Sequence, residues 1–178
     1  AVAPVAPDEL FVDSFELVGE LPWAADFGAR FAASKGYSIT PYLPFVFRAA
    51  GESKYQALLA DASLPSFATA DATGVRVRED YEDVRGELFL ESVVDPLASF
   101  ASMHGASLRL QAHGGYEHVL DGYARADIPE SESLFGVGSM DFLELAASAA
   151  HVAGRKLVSS ETFPAISFTG PALTEDEM

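Results

Sequence analysis

Met140-Asp-Phe-Leu-Glu-Leu-Ala-Ala-Ser-Ala-Ala-His-Val-Ala-Gly154, running on into Arg155-Lys-Leu-Val-Ser-Ser-Glu-Thr-Phe163, is the stretch whose reading decides the fold. Its first half carries the signals of an amphipathic helix. Ser139 or Asp141 can cap the start, and Asp141 and Glu144 place negative charge in the first turn, where the helix dipole favours it. Phe142, Leu145, Ala149 and Val152 follow three-to-four spacing, which predicts one buried face. Gly154 stands where a left-handed C-terminal cap belongs. The second half reads as a short strand ending on a carboxylate, Glu161. Just upstream, a very short strand runs into Asp127-Ile-Pro-Glu-Ser-Glu132. A helix feeding a strand that ends on an acid is how a (β/α) barrel presents functional groups, because the C-terminal ends of its parallel strands meet at one face.

Working outward, Ser107-Leu-Arg-Leu-Gln-Ala-His113 alternates like a strand and is broken by Gly114-Gly115, which leaves Gln111 and His113 at a strand end. Tyr116 to Ala126 reads as a short helix. Glu79 to His104 is a long helical region that Pro96 should kink or split near Asp95, since proline donates no amide hydrogen. Leu10 to Leu17 is an apolar strand carrying Asp13 and Glu16; unpaired burial of two acids is costly, so they belong at its wet end. Trp23, Phe27 and Phe31 form a helical stripe closed by Gly36, and Trp23, at the helix entrance, suits either core packing or a pocket wall. Ser38 to Val77 is the least regular part, with a short helical look only over Glu52–Ala62. Strands alternating with helices imply an α/β fold with parallel pairing and right-handed crossovers.

Composition narrows the function classes. A formal charge of −16 opposes nucleic-acid binding, which needs a basic face. The chain shows no apolar run long enough to span a membrane and no signal peptide. With no cysteine there is no disulfide, thiolate metal site or cysteine nucleophile. With 178 residues, about half apolar, one domain is expected: residues 1–9 a linker or cut end, 10–168 a partial (β/α) barrel, and 169–178 a frayed acidic tail.

Each expected strand ends in polar groups: Asp13 and Glu16, Gln111 and His113, Glu130 and Glu132, then Glu161. Parallel strands would bring these onto one face. Carboxylates paired across a cleft are the equipment of glycoside hydrolysis, one protonating the leaving oxygen and the other activating water or attacking the anomeric carbon. Trp and Tyr rings suit the apolar faces of sugars. The same acids are suited to calcium or magnesium. As solvated turns they need no function.

Several of these blocks, in order, resemble the α-L-rhamnosidases of glycoside hydrolase family 106. They are DSFE (Asp13–Glu16) with the following Trp23, KGYSITPYLP (Lys35–Pro44), RVREDY (Arg76–Tyr81), LRLQAHG (Leu108–Gly114), DIPESE (Asp127–Glu132) and AASAAHVAGRKLVSSETF (Ala146–Phe163). The resemblance implies part of a TIM-type barrel within a longer enzyme, of which this chain holds about four strands, and inverting hydrolysis of terminal α-L-rhamnosyl groups of plant or bacterial glycans. It implies no organic cofactor, a calcium ion at or near the sugar, and a periplasmic or secreted setting. Carried over by position, Glu16 becomes the general acid, Glu161 the general base, and Glu130 a third essential acid that holds calcium or tunes the pair. Asp13, Trp23, Gln111, His113 and Glu132 become sugar-binding residues, with Glu130 or Glu132 the expected metal ligand. A complete barrel needs about 250 residues, so the partners expected are carbohydrate and the remaining strands or domains of a larger enzyme. The competing readings are a non-catalytic carbohydrate- or calcium-binding α/β module, an inactive glycosidase fragment, and a structural segment whose acids are a solvated face. A small doubly wound domain is the rival fold.

Overall fold

The structure, a computed structural model, describes residues 7–16, 22–46, 69–114, 116–134 and 139–162. The expected helix over Glu52–Ala62, the lead before Pro7 and the tail lie outside these residues. The described elements are β1 (Glu9–Val12), α1 (Phe27–Lys35), a 3-10 turn (Thr40–Tyr42), α2 (Leu43–Val46), α3 (Thr73–Phe89), a π-helical turn (Leu90–Val94), α4 (Asp95–Met103), β2 (Ser107–Leu110), α5 (Val119–Arg125), β3 (Ile128–Glu132), α6 (Met140–Val152) and β4 (Ser159–Glu161). The chain divides into two compact units. The first takes Ala1–Ser14, Asp95–Ala112 and Leu120–Met178, and the second takes Phe15–Val94 and His113–Val119.

All four strands belong to the first unit. They lie in the order β1-β2-β3-β4, and every neighbouring pair is parallel. That is the strand order of a stretch of (β/α) barrel. A doubly wound sheet reverses direction at a switch point, and this one does not. Right-handed crossovers between consecutive strands put the connecting helices on one face, and α4 packs on β2 and α6 on β3. Leu108 and Leu110 on β2, with Ala112 just beyond it, are fully buried. The opposite face carries the polar residues described below.

Local signals place α6 well. Ser139 precedes it in extended conformation, although its side chain makes no capping bond. At the other end Gly154 adopts φ +68°. Its amide donates to the His151 carbonyl at 3.3 Å, and the Arg155 amide donates to the Ala150 carbonyl at 2.8 Å. These two bonds are a Schellman cap. The buried face differs from the expected one: it is Ala146, Ala149 and Ala150, while Val152 is 86% exposed. Alanines let the helix backbone come close to β3, so the small residues take the sheet side and the larger Val152 turns to water. Leu110→Ala is therefore expected to cost about 2–5 kcal/mol, and Val152→Ala no more than about 0.5 kcal/mol, both by urea unfolding. Equal losses would mean that the sheet face is not the core.

In the second unit Phe27, Phe31, Ile39, Val46, Val77, Tyr81 and Val84 form the core. The helix α3 begins at Thr73, six residues before the expected Glu79. Asp71 accounts for the earlier start: its carboxylate accepts hydrogen bonds from the Thr73 amide and hydroxyl, both at 3.0 Å. The split expected at Pro96 appears as the π-helical turn over Leu90–Val94. Tyr81 donates to the Pro22 carbonyl at 2.6 Å, and burial pushes its hydroxyl up to about 12. Lys35 donates to Asp83, and that bond holds the Asp83 carboxyl below the usual range.

Candidate functional site

Strand alternation sorts the polar residues of the first unit. Side chains two apart share a face, and the register pairs Phe11 with Arg109, Arg109 with Ile128, Glu130 with Ser159 and Glu132 with Glu161. Glu9, Phe11, Arg109, Gln111, Glu130, Glu132, Ser159 and Glu161 therefore stand on the face opposite Leu108 and Leu110. The apolar set meets the helices, and the polar set is what a closed barrel would turn inward.

Glu130 is the hub. It is 4% exposed, and a buried carboxylate needs partners. It accepts from Arg109 Nη1 at 3.1 Å, Gln111 Nε2 at 3.0 Å and Ser159 Oγ at 2.6 Å. The Arg109 guanidinium also reaches Glu9 at 3.4 Å and lies 4.4 Å from the centre of the Phe11 ring. Gln111 is fully buried, and its Nε2 donates a second hydrogen bond, to Glu161 Oε2, at 2.8 Å. Two carboxylates thus share one amide, which puts their nearest oxygens within about 6 Å of each other. Glu130 is enclosed, whereas Glu161 at the end of β4 is exposed to solvent.

The run Asp127–Glu132 was expected to lie at or beyond a strand end. Instead Ile128–Glu132 is the strand itself, buried along its whole length. Repulsion among its acids is avoided by sending them to different partners. Asp127 accepts from the Leu108 amide at 3.0 Å and from Arg155 at 3.2 Å, while Glu130 takes Arg109. The expected strand Leu10–Leu17 ends at Val12, and its polar end begins with the exposed Asp13, whose Oδ1 accepts from the Ser14 amide at 2.8 Å. Glu132 and His113 are buried.

Glu16 belongs to the second unit, as do His113 and Trp23. The Phe15 amide donates to the His113 carbonyl at 3.0 Å. The Phe15 ring meets Phe89 edge-on at 4.7 Å, and Phe89 stacks on Tyr116 at 4.3 Å. Glu16 itself holds φ +31°, an unfavourable value for a residue with a side chain. Trp23 is 45% exposed, with its ring 4.6 Å from that of Phe27. The expected helix from Tyr116 starts only at Val119.

Two residues of the network were missed in the sequence, Arg109 and Ser159. Arg109 had a signal: it stands two residues before Gln111 in an alternating strand and so shares its face. Ser159 had none, because its neighbour Glu130 comes from another strand.

The expected calcium finds no fit at Glu130, whose two oxygens already receive three donors, one of them cationic. Among the described residues, no group of three or more acidic or histidine side chains is arranged to hold a metal ion. Among the described residues, no helix is long and apolar enough to cross a membrane.

No protein-family model and no curated protein matches the chain. Among solved structures, a rhamnosidase from Novosphingobium sp. PP1Y is similar over 86% of this chain, with a TM-score of 0.59 and 20% identity. The chain spans 14% of that protein's length. At this identity the likeness is one of fold.

Proposed function

We propose that this chain is part of the catalytic barrel of an inverting glycoside hydrolase of the α-L-rhamnosidase kind, with Glu161 as general base and Glu16 as general acid. One observation carries the reading: an exposed carboxylate at the end of β4 is aimed by a buried amide that a salt-bridged glutamate holds in turn. A general base needs such a group, open to water and fixed in direction. Inversion needs about 6.5–9.5 Å between the two working carboxyls, to admit the attacking water. Glu130 and Glu161 share a donor and leave little room for that water, so Glu130 serves as a fixed anion beside the base. The acid role of Glu16 rests on the resemblance to family 106. The solved structure of like fold is a rhamnosidase, and the sequence resemblance to family 106 favours an α-L-rhamnosyl substrate. Asp13, Trp23, His113 and Glu132 are its proposed contacts.

Among the described residues, β1 and β4 are the two edges of the four-stranded sheet, and a closed barrel has eight strands. We therefore assign further strands to other parts of a larger enzyme, with a periplasmic or secreted setting for glycan hydrolysis.

The test is turnover of a chromogenic α-L-rhamnoside, with the first-formed anomer followed by NMR. Glu161→Gln is expected to lower kcat by about 10²- to 10⁴-fold, the usual contribution of a general base. Loss of turnover with an inverted product supports the assignment. A retained product anomer, or unchanged kcat in the variant, would sink it. A folded wild-type chain that binds rhamnosides without turnover would instead favour the non-catalytic carbohydrate-binding module.

A further inference from the structure

We infer that Gln111 is a positioning residue: it transmits the fixed orientation of Glu130 to Glu161. The inference deepens the reading above, since it takes Glu161 as the working carboxylate. Four observations support it. Gln111 is fully buried, so its rotamer is locked by packing. Its Nε2 has two N–H groups, one used on Glu130 at 3.0 Å and the other on Glu161 at 2.8 Å. Its Oε1 is buried with no hydrogen-bond partner among the described residues. That cost is accepted because turning the amide over would set Oε1 against two carboxylates. Finally, Arg109 and Ser159 hold Glu130 from its other side at 3.1 and 2.6 Å. The order of dependence is thus Arg109 and Ser159, then Glu130, then Gln111, then Glu161. Glu130 and Gln111 are enclosed, Arg109 and Ser159 are part-buried, and Glu161 is exposed.

Replacing Gln111 by an apolar residue of similar length removes the bond to Glu161 and leaves Glu161 free to swing. If the chain turns over rhamnoside, Gln111→Met is expected to lower kcat about tenfold with KM little changed, the worth of one hydrogen bond to a charged group.

The deciding experiment follows the Gln111 side-chain amide by NMR in the wild-type chain and in Glu161→Ala, a substitution at an exposed position. One of the two amide-proton resonances is expected to move in Glu161→Ala while the other, bonded to Glu130, stays. This measurement stands even if Gln111→Met does not fold. An amide that ignores Glu161→Ala overturns the inference. Turnover is scored separately. An inactive wild-type chain with the expected amide response removes the glycosidase reading and keeps the amide clamp; an active chain with an unmoved amide does the reverse.

Discussion

Glu130→Ala is expected to lower the stability of the chain by about 3 kcal/mol, because it breaks a buried ion pair from one side. The variant leaves the Arg109 guanidinium and the Gln111 amide without their shared acceptor, and Ser159 loses a 2.6 Å bond. The Arg109 side chain is about one third exposed (34%), so water recovers part of the loss. That keeps the figure at the low end of the range for buried pairs. Glu130→Gln keeps the shape and an acceptor oxygen but removes the charge, and about half the effect is expected. Pairing Glu130→Met with Arg109→Met removes both charges together, and most of the stability should return. Urea unfolding of these variants checks the argument through the midpoint at constant slope. An unchanged midpoint in Glu130→Ala would show that the network contributes nothing to folding.

Gly114→Ala is the second large effect. Gly114 adopts φ +113°, which an L side chain rarely tolerates. A Cβ there would also sit 2.5 Å from the Glu16 amide nitrogen and 2.9 Å from that of Phe15. These are backbone atoms, so no side-chain rotation relieves the clash. Either Phe15–Glu16 moves, breaking the Phe15 amide bond to His113 and the Phe15–Phe89 ring contact, or the turn at Gly114 refolds. Strain and lost contacts together are expected to cost about 3 kcal/mol. Because Glu16 is the proposed acid, turnover should fall even where the variant stays folded. Thermal unfolding, with turnover measured below the midpoint, separates the two effects. A variant with wild-type stability and activity would refute the close approach.

The sequence could be read furthest where one short stretch supplied its own evidence. The helix α6 and its glycine cap came from residues within a few positions of one another. So did the break at Pro96. The helical face was misassigned because hydrophobic spacing ranks residues by size. The sheet instead selected Ala146, Ala149 and Ala150, which allow close approach. The end of β1 was placed too late, at Leu17, because the apolar pattern runs on past Val12. Beyond the strand, Phe15 and Glu16 instead pack closely against Gly114, about a hundred residues away in sequence.

The sequence alone thus determined the α/β class, the parallel alternation of elements and the polar character of the strand ends. Those properties arise from local propensity and periodicity, which act over a few residues. Which acids meet was decided only by the tertiary structure. Glu130 and Glu161 look alike in sequence, yet one is enclosed by Arg109, Gln111 and Ser159 and the other faces solvent. Lateral strand order and register fix that difference. Both are set by burial of Leu108, Leu110 and their neighbours beneath the helices, a non-local free energy that no single strand carries.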